Sequence, residues 1–420
     1  MDNYQEALEK VLNYVHTLDI EDKPLFDTIG QVLAEDVYSE FDLPLKDQAM
    51  PDGYAVISSD IAGASEENPV TLQIIETVRA GCLPKNRVKS GTAIRIMTGA
   101  VMPDGADCVV RFEFTDEPAN KSGPNYNNPT EVKVYRAVDP GTGISKKGAS
   151  VRKGMLVISK GITIGAAQIS VLATIGKTMV RVFRRPTIAV ISSGDELLEL
   201  GETLTPGKSY NCNEMAIATL VSHYGGIPKV LGIAHDNEKS VTDKIKRGMR
   251  ADAIITSGGV SKGDFDLVRS VIGKMGEVVF SRVEVGPGAS VSFGYVHRQD
   301  DKEGRKAIPV FALAGPTVGC LINFEMLVRP SIFKMMGKSD IEHPVVKAIA
   351  KDAVPSKIPM TFTRWSRLEK GNGGYTVELN RIEKAGMLSA IGMANALTII
   401  PRGTEVKEGD SIPVLPLDWT

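Results

Sequence analysis

The chain has 420 residues, a formal net charge of −2 and 24% charged residues. A chain of this length is too long for one hydrophobic core, so we expect several domains. The balanced charge argues against a nucleic-acid-binding protein, which would carry a strong basic field.

Cysteine usage and hydropathy narrow the class of protein further. The cysteines stand far apart, at Cys82, Cys108, Cys212 and Cys320, and this spacing predicts neither a zinc site nor a disulfide framework. They fit a reducing compartment as small core residues. No apolar run approaches the length of a membrane span, and no signal-peptide pattern opens the chain. We therefore predict a cytoplasmic protein that binds neither nucleic acid nor a membrane.

The N-terminal segment predicts two helices. Residues 2–17 place apolar side chains in one stripe at helical spacing, with Asp2 as the cap and Gln5 three residues later. A second, short helix is expected over 28–34. A rigid loop then presents Asp52, which is either a ligand-facing carboxylate or a turn former beside Gly53.

Residues 54–139 predict a small β-domain inserted into another unit. Four apolar runs alternate or are rich in β-branched residues, as strands are, at 72–78, 93–97, 108–112 and 131–135. Thr98 lies where the second run breaks into a Gly/Pro turn, so its hydroxyl either faces a ligand or caps the turn. Residues 117–129 are typical of an exposed hairpin tip.

The next segment is a loop followed by a helix. Residues 141–154 are rich in glycine and lysine, and such a stretch is more often a solvated loop than an anion site. A helix is predicted over 164–175, ended by Gly176.

Two segments with the same sequence pattern follow, at 187–197 and 253–266. Each is a β-branched run typical of a strand buried on both faces, followed by Ser, Thr and Gly and then by carboxylates. Glycine amides can line an anion site, and carboxylates beside phosphate usually bind a divalent cation. The alternative is a pair of ordinary strand-to-helix turns. The candidate residues are Ser193, Gly194, Asp195 and Glu196 in the first copy and Ser257, Gly258, Gly259, Ser261, Asp264 and Asp266 in the second.

The intervening and following pattern predicts an open parallel sheet. A helix over 213–224 leads to a strand over 230–234, which ends at Asp236. Later elements are a helix over 267–275, strands over 278–285 and 310–313, a loop containing Gly315 and Pro316, and a long helix over 318–336 kinked by Pro330. Ligands bind at the carboxyl ends of such strands, so Asp236 joins the candidate carboxylates.

Alternating strands return after residue 341 and predict a small β-barrel or sandwich. They are expected at 360–368, 375–380, 396–400 and 411–415. Arg364 lies in the middle of the first, and either points toward a neighbouring site or lies on a solvated face.

Four motifs in this order resemble the MoeA family, the molybdopterin molybdenumtransferases related to the C-terminal domain of gephyrin. Residues 52–56 are similar to the end of M-D-G-Y-A-V, and 95–107 to R-I-M-T-G-A-x-x-P-x-G-A-D. Residues 193–197 match S-G-D-E-L, and 257–264 match S-G-G-V-S-x-G-D. The resemblance covers nearly the whole chain.

The resemblance implies a multidomain α/β-plus-β fold and an elongated homodimer. Its parts would be an N-terminal linking domain (1–46 with 140–180), an inserted β-domain (47–139), a central doubly wound α/β domain that binds molybdopterin (181–336) and a C-terminal β-barrel (337–420). The implied reaction inserts molybdate into adenylylated molybdopterin with Mg²⁺ and releases AMP. Partners would be an upstream adenylyltransferase and downstream molybdoenzyme chaperones.

The resemblance also assigns residues by position. Asp52, Thr98, Glu196, Asp236, Asp266 and Arg364 match family residues that line the active site, and Glu196, Asp236 and Asp266 are the expected Mg²⁺ ligands. The chain departs from the family at several ligand contacts. Gly286 and Ala289 stand where a K-P-G-K turn has lysines, and 314–317 reads A-G-P-T in place of P-G-N-P. The family's R-R-x-G-x-D run ends here as K-K-G-A-S at 146–150, with the loss of one carboxylate, and Ala385 stands where the barrel is expected to have a serine.

Three hypotheses therefore stay open. The first is a molybdenumtransferase, with tungstate as a conceivable alternative to molybdate. The second is an altered relative that binds a pterin, a nucleotide or a partner protein without turnover. The third is an unrelated phosphate-ester enzyme on the same scaffold.

Overall fold

A computed structural model describes residues 3–117, 130–258, 267–297, 307–354, 360–379 and 387–419. The chain forms two compact units. The first contains Met1–Glu35, Lys160–Ile169 and Thr178–Thr420, and the second contains Asp36–Ser159 and Ser170–Lys177. The finer division into four domains stays a prediction. Within the described ranges, no helix is both long and apolar enough to span a bilayer.

The second unit is built on a β-sheet. Five described strands form it, in the spatial order Cys108–Arg111, Gly53–Val56, Thr92–Ile96, Val70–Val78 and Glu131–Val134. All four strands expected over 72–135 are present. Alternate residues face opposite sides, so that Tyr54 and Val110 pack on one face and Ala55 and Val109 on the other. Short pairs join Gln48–Ala49 to Ile144–Ser145 and Val37–Tyr38 to Leu156–Ile158. Of the predicted hairpin tip, only Glu117 lies within the described residues.

The first unit opens with helix α1 (Tyr4–Tyr14). Its cap is Asn3, whose side chain accepts from the Glu6 backbone N–H while the Glu6 carboxylate accepts from the Asn3 N–H. The sequence therefore misplaced the cap, and Asp2 lies outside the described residues. Strand Ile20–Pro24 then pairs antiparallel with Met179–Phe183.

The helix predicted over 28–34 is wrong. A 3-10 turn covers Leu25–Thr28, after which Val32 bridges Thr163 and Leu33 bridges Val182. Both apolar side chains are fully buried. Tertiary pairing therefore overrides a local pattern that is too short to decide between helix and strand. The helix predicted over 164–175 is present as Ala166–Thr174.

The centre of the first unit is a six-stranded sheet of described strands. These are β1 (Thr187–Ser193), β2 (Ile227–Ala234), β3 (Ala253–Ser257), β4 (Gly276–Phe280), β5 (Ser292–Val296) and β6 (Ile308–Leu313). The spatial order is β2-β1-β3-β6-β5-β4. The first four are parallel neighbours, whereas β5 runs antiparallel to both β6 and β4. The sheet is thus mixed: the strands that carry the candidate loops are parallel, as predicted, and β5 adds an antiparallel strand that the sequence did not indicate.

Helices cover the sheet. They are α2 (Cys212–His223), α3 (Glu238–Gly248), α4 (Leu267–Met275), α5 (Thr317–Asn323) and α6 (Arg329–Met335). The sequence missed α3, which Asn237 caps by accepting from the Ser240 N–H. The predicted long helix is continuous through a π-helical turn at Phe324–Val328, immediately before Pro330. Proline cannot donate to the preceding turn, and a widened turn accommodates that missing bond.

The C-terminal strands close into a barrel. In ring order they are Thr361–Gly371, Gly374–Glu378, Val346–Ala350, Ser411–Pro416 and Ala396–Ile400, and the last pairs with the first. Strand Val285–Gly286 adds to the first of these in parallel. A short helix, Met387–Met393, precedes strand Ala396–Ile400 in the chain. The predicted architecture of an α/β sheet with a closed β-barrel is confirmed, while the dimer stays a prediction.

Candidate active site

Three loops at the carboxyl edge of the sheet surround one cavity of about 380 Å³. They follow β1, β3 and β6, which lie side by side. Six residues singled out from the sequence line the cavity: Ser193, Glu196, Ser257, Gly258, Gly315 and Pro316. Parallel strands end at the same edge, which is why residues more than a hundred positions apart meet here.

The cavity depends on close approach of the backbone of two loops. Gly258 has a φ of +86°, and a Cβ placed on it would lie 2.3 Å from the carbonyl oxygen of Ser193. Gly194 has a φ of +152°, and a Cβ there would fall 2.3 Å from Glu196 Oε2. A side chain at 258 would meet fixed backbone, and both φ values lie in the region that L-residues with a side chain rarely adopt, so both positions favour glycine.

Asp195 and Asp236 tie the loop after β1 to the loop after β2. The Asp195 N–H donates to Asp236 Oδ2 at 3.2 Å, and the Asp236 N–H donates to Asp195 Oδ1 at 3.3 Å. The Ser193 hydroxyl donates to Asp236 Oδ1 at 3.4 Å. The pKa of Asp195 is lowered, chiefly by the Asp236 backbone N–H and next by the His235 side chain. The Asp195 carboxylate is therefore held ionised in an exposed position.

The oxygen ligands at this edge suit Mg²⁺. Glu196 and Asp236 follow neighbouring strands in register, since Ser193 pairs with Ala234. Among the described residues, no group of three acidic, His or Cys side chains could hold a metal by itself. Mg²⁺ usually takes only one or two carboxylates and completes its shell with water and substrate phosphates, so the two carboxylates fit. Asp266, the third expected ligand, lies outside the described residues, as do Gly259, Ser261 and Asp264.

Asp52 and Thr98 meet in the second unit. Asp52 Oδ1 accepts from the Thr98 backbone N–H at 2.7 Å and from its hydroxyl at 2.8 Å. Both residues are exposed. The two motif residues thus form one preset pair, although they are 46 positions apart in the chain.

Two lysines of the lysine-rich loop in the same unit are paired with carboxylates from an earlier segment of the chain. Lys146 Nζ lies 2.9 Å from Asp47 Oδ2, and Lys147 Nζ lies 3.3 Å from Asp42 Oδ2. The pKa of Asp47 is lowered first by the Lys147 backbone N–H and then by Lys146. These contacts favour the solvated-loop interpretation over an anion site.

Several lining residues were not identified from the sequence. The cavity wall also includes Asn211, Cys212, Asn213 and Thr317, from the first turns of α2 and α5. The Asn213 side chain donates to the Gly315 carbonyl at 2.7 Å and joins the first turn of α2 to the loop after β6. Their position in the chain could have indicated them, because helices that follow parallel strands begin at the ligand-binding edge of the sheet.

Comparisons with known proteins agree along the whole chain. The model for the MoeA N-terminal region (domain I and II) matches residues 3–176, that for a probable molybdopterin binding domain matches 189–334, and that for the MoeA C-terminal region (domain IV) matches 347–417. A curated molybdopterin molybdenumtransferase of Staphylococcus epidermidis is 32% identical over 98% of this chain and 94% of its own length. The chain belongs to the MoeA family.

Further relatives point the same way. A Staphylococcus aureus molybdopterin molybdenumtransferase is 30% identical over 98% of this chain and 94% of its own length. The crystal structure of a molybdopterin biosynthesis MoeA protein from Pyrococcus horikosii is 31% identical, with a TM-score of 0.81 over 99% of this chain and 98% of that one. The curated relatives carry the name of an enzyme.

At Gly286, one of the positions where this MoeA-family chain departs from its motif, apolar side chains lie close to the backbone. A Cβ on Gly286 would lie 3.1 Å from Met360 Sδ and 3.3 Å from the Phe362 ring. A side chain at 286 would therefore require these apolar side chains to shift. Arg364 lies on the same strand as Phe362, with its guanidinium 5.6 Å from that ring, and is not part of the cavity wall. Ala385 lies outside the described residues.

The turn at 286–289 is held by a buried asparagine. Asn323 is fully buried, and its Nδ2 donates to Tyr4 Oη and to the Gly288 carbonyl, both at 3.0 Å. Its Oδ1 accepts from the Ala314 N–H at 3.4 Å. One side chain thus joins α1, this turn and the loop that borders the cavity.

Gly319→Ala is expected to lower the free energy of unfolding by about 2 kcal/mol, the usual cost of overpacking. A Cβ on Gly319 would lie 2.8 Å from the Gly288 backbone, which cannot swing away as a side chain can. Gly273→Ala is the matched control, because Gly273 is also helical and has open space around it. The control should be neutral or stabilising by up to about 1 kcal/mol. Urea unfolding measures both, and equal effects would contradict the packing argument.

Proposed function

We propose that this chain is a magnesium-dependent molybdopterin molybdenumtransferase, which inserts molybdate into adenylylated molybdopterin and releases AMP. The observation that carries the proposal is the cavity shared by the loops after β1, β3 and β6, in a chain of the MoeA family. Molybdate and the pterin nucleotide are its substrates, and Mg²⁺ is its proposed cofactor.

Residues of the cavity wall and carboxylates proposed to act beside it take distinct roles in this proposal. Ser193 and Ser257 offer hydroxyls, while Gly258 and Gly315 let the substrate approach the backbone. Glu196 and Asp236, together with Asp266, hold Mg²⁺. When bound, the metal neutralises charge at the phosphoanhydride whose cleavage releases AMP. The Asp195–Asp236 bonds hold Asp236 in place before the metal arrives.

Asp52, Thr98 and Arg364 are proposed participants on the strength of their motif positions. Asp52 and Thr98 are already paired, so the carboxylate is oriented without a ligand. Arg364 supplies a guanidinium, whose planar fork of N–H donors suits the oxygens of a phosphate group. A cytoplasmic location and the upstream adenylyltransferase and downstream chaperone partners stay predictions.

One observation favours a second candidate function, in which the chain binds pterin or nucleotide without inserting molybdenum. Met360 and Phe362 occupy the space next to Gly286, and Ala289 also lacks a cation. A cation bonded to an anionic ligand contributes about 1.5–3 kcal/mol, so two losses weaken oxyanion binding substantially. Lys146, one candidate to compensate, is already paired with Asp47.

AMP release distinguishes the two candidates. Purified protein with Mg²⁺, adenylylated molybdopterin and molybdate should release AMP, and a parallel tungstate reaction tests the choice of oxyanion. Binding of the pterin nucleotide with no AMP above background would establish the second candidate. Ala289→Lys should then restore release, because Ala289 is half-exposed. Gly286→Lys should not, since Met360 and Phe362 block it.

We also propose a homodimer formed through the N-terminal part of the first unit. Phe26, Ile29, Ile162 and Met179 expose 77%, 49%, 41% and 48% of their surface. Backbone bonds place them near one another, from Leu25 N–H to the Thr178 carbonyl and from Gly30 N–H to the Ile164 carbonyl. Clustered exposed apolar side chains mark interaction surfaces.

Phe26→Asp is expected to convert this dimer into a monomer, because a carboxylate would be buried unpaired in the interface. Sedimentation velocity measures the change. Leu204→Asp, at a side chain that is 56% exposed in another loop, is the control and should leave the dimer intact. A wild-type monomer, or a Phe26→Asp dimer, would contradict the proposed interface.

A further inference from the structure

A buried carboxylate bridges the two strands whose ends carry Asp52 and Thr98. Glu117 accepts a hydrogen bond from the Tyr54 hydroxyl at one of its oxygens. The Arg95 guanidinium donates to the same carboxylate, from Nε to Oε1 at 3.0 Å and also from Nη2 to Oε1. The Glu117 side chain is 4% exposed and the Arg95 side chain is 13% exposed. Tyr54 and Arg95 therefore share one charged acceptor inside the second unit, and we call these three side chains the Glu117 bridge.

The bridge lies close to the pair formed by Asp52 and Thr98. Asp52 directly precedes strand Gly53–Val56, and Thr98 follows strand Thr92–Ile96 after one intervening residue. Because these strands are antiparallel neighbours, the beginning of one lies beside the end of the other. The register of the two strands therefore decides whether the Asp52 carboxylate reaches the N–H and the hydroxyl of Thr98.

Glycine weakens the contact between the two strands at this end. The ladder position nearest to the pair joins Gly53 to Ile96, and glycine has no side chain to pack across the ladder. A side chain at 53 would collide, because a Cβ there would lie 2.0 Å from a carbonyl oxygen of the neighbouring strand. The next ladder position pairs Tyr54 with Arg95, so their shared acceptor Glu117 supplies a cross-strand link close to the pair.

Phe112 connects the bridge to Asp52 from the strand on the other side. The Phe112 N–H donates to the Asp52 carbonyl at 3.4 Å. The Arg95 guanidinium lies 4.6 Å from the centre of the Phe112 ring, and the Tyr54 ring meets that ring edge to face at 5.5 Å. The residue whose backbone holds Asp52 is therefore packed against both donors of the bridge.

A buried ion pair is better suited to fixing geometry than to stabilising a fold. Taking two charges out of water costs about as much free energy as their attraction returns, so apolar side chains of similar size are often equally stable. A charged, hydrogen-bonded group accepts fewer arrangements than apolar side chains do, and it can fix the register of neighbouring elements. The chemistry of the bridge therefore favours a role in the geometry of the strand ends.

We propose that Glu117 is a positioning residue for the reaction, which holds the two strands in the register that brings Asp52 and Thr98 together. This inference rests on the proposed function, because the role of Asp52 in the reaction comes from it. Glu117 acts through Asp52 and does not itself touch the substrate.

Hydrogen exchange of the Thr98 amide tests the inference without any substrate. This N–H donates to Asp52 Oδ1 at 2.7 Å, and Asp52→Ala gives its exchange rate when the acceptor is absent. Replacing the ion pair by apolar side chains, as Arg95→Met together with Glu117→Leu, should leave the free energy of unfolding close to the wild-type value. The same double replacement should speed Thr98 exchange about 10-fold, the value of one hydrogen bond.

Asp107→Asn is the control for a general loosening of the sheet. The Asp107 carboxylate accepts from the Ser58 N–H and hydroxyl, both at 2.7 Å, at the opposite end of strand Gly53–Val56. Thr98 exchange should be the same in this variant as in the wild type. Tyr54→Phe is a milder change within the bridge, because it removes only the hydroxyl, and it should speed Thr98 exchange about 3-fold.

A double-mutant cycle on AMP release tests the link to the reaction. The double replacement should lower kcat about 10-fold with KM unchanged, the order expected when a catalytic group is displaced by about half an ångström. In an Asp52→Ala chain the same replacement should cause no further loss, because Glu117 acts through the carboxylate that is already gone. A purely structural role would instead produce the same loss in both backgrounds.

The outcomes separate the inference from the proposed function. Unchanged Thr98 exchange in the double replacement overturns the inference whatever the activity, and if that chain does not fold, unchanged exchange in Tyr54→Phe overturns it. Wild-type exchange as fast as that of Asp52→Ala, or equal losses in both arms of the cycle, overturns it as well. Faster exchange in the variants of a wild-type chain that releases no AMP supports the hold of Glu117 on the pair and overturns the proposed function.

Discussion

Glu325→Gln is expected to make the protein more stable at pH 8 by about 3 kcal/mol and to leave its stability at pH 4.5 unchanged. Glu325 is fully buried in the π-helical turn. Burial, the largest cause, raises its pKa from 4.5 to about 7, against the lowering effect of Trp419 and Tyr224. One pKa unit corresponds to about 1.36 kcal/mol, which gives about 3 kcal/mol for this shift.

The direction follows from proton linkage. A carboxyl whose pKa is raised in the folded state binds more protons there than in the unfolded chain. Its contribution is therefore complete below pH 4.5 and is lost as pH rises through about 7. A neutral amide keeps the shape of the side chain and removes this loss.

The contacts around Glu325 favour its protonated, neutral form. The Tyr224 hydroxyl lies 3.0 Å from both Glu325 oxygens and 3.0 Å from Asp418 Oδ1, and the Trp419 Nε1–H donates to Glu325 Oε1 at 2.8 Å. One hydroxyl hydrogen cannot satisfy two carboxylates. Burial lowers the pKa of His343 to about 4, so it is neutral near pH 7 and adds no positive charge beside Glu325, and Arg329 lowers the pKa of Glu325 less than burial raises it. Arg329 stacks on Tyr224 at 5.4 Å and on Phe333.

The measurement is the difference between the variant and the wild type, because His343 also titrates in this range. Its depressed pKa gives stability that is present above pH 6.5 and lost as pH falls toward 4, which opposes the Glu325 slope. Urea unfolding between pH 4.5 and 8 should show a difference that grows with pH. Glu405→Gln removes an exposed carboxylate and is the control. A difference that does not vary with pH would rule out the protonated-carboxyl argument.

Asp236→Asn is expected to reduce AMP release about 100-fold under the proposed function, the loss typical of removing one preorganised electrostatic group. The amide keeps the acceptor for the Asp195 N–H, so the loop after β2 should remain in place. It removes a negative charge that Mg²⁺ requires. The variant should therefore also need more Mg²⁺ for half-maximal rate.

Two further variants make this result specific. Glu196→Gln, on the neighbouring strand, should show the same combination of slower release and greater Mg²⁺ requirement. Asp243→Asn removes an exposed carboxylate from α3 and should match the wild type. Unchanged release and Mg²⁺ dependence in both Asp236→Asn and Glu196→Gln would remove these carboxylates from the reaction. Because the oligomer can be checked separately, a loss caused by dissociation would be recognised.

Local patterns were sufficient for the elements that carry the cavity. The β-branched runs at β1, β3 and β6 stand out because strands buried on both faces are apolar throughout. The loops after them were found because glycine and serine interrupt those runs abruptly. From these features alone, Ser193, Glu196, Ser257, Gly258, Gly315 and Pro316 could be placed at one edge of the sheet, where the structure brings them together.

The motif resemblance assigned individual residues that periodicity alone did not single out. It linked Asp52 with Thr98, and their side chains do meet within the second unit. It also marked Gly286 as a missing cation. Which side chains occupy the space next to Gly286 depended on a barrel strand more than seventy residues away, which no local pattern predicts.

Tertiary contacts alone decided the rest. The antiparallel placement of β5 and the bridges at Val32 and Leu33 arise from partners distant in the chain. Asn323 and Glu325 look like ordinary helix residues in the sequence, and their roles come from burial beside groups at Gly288 and Tyr224. Periodicity records which face of an element is apolar, whereas the free energy of a buried polar atom depends on the partner that folding places beside it.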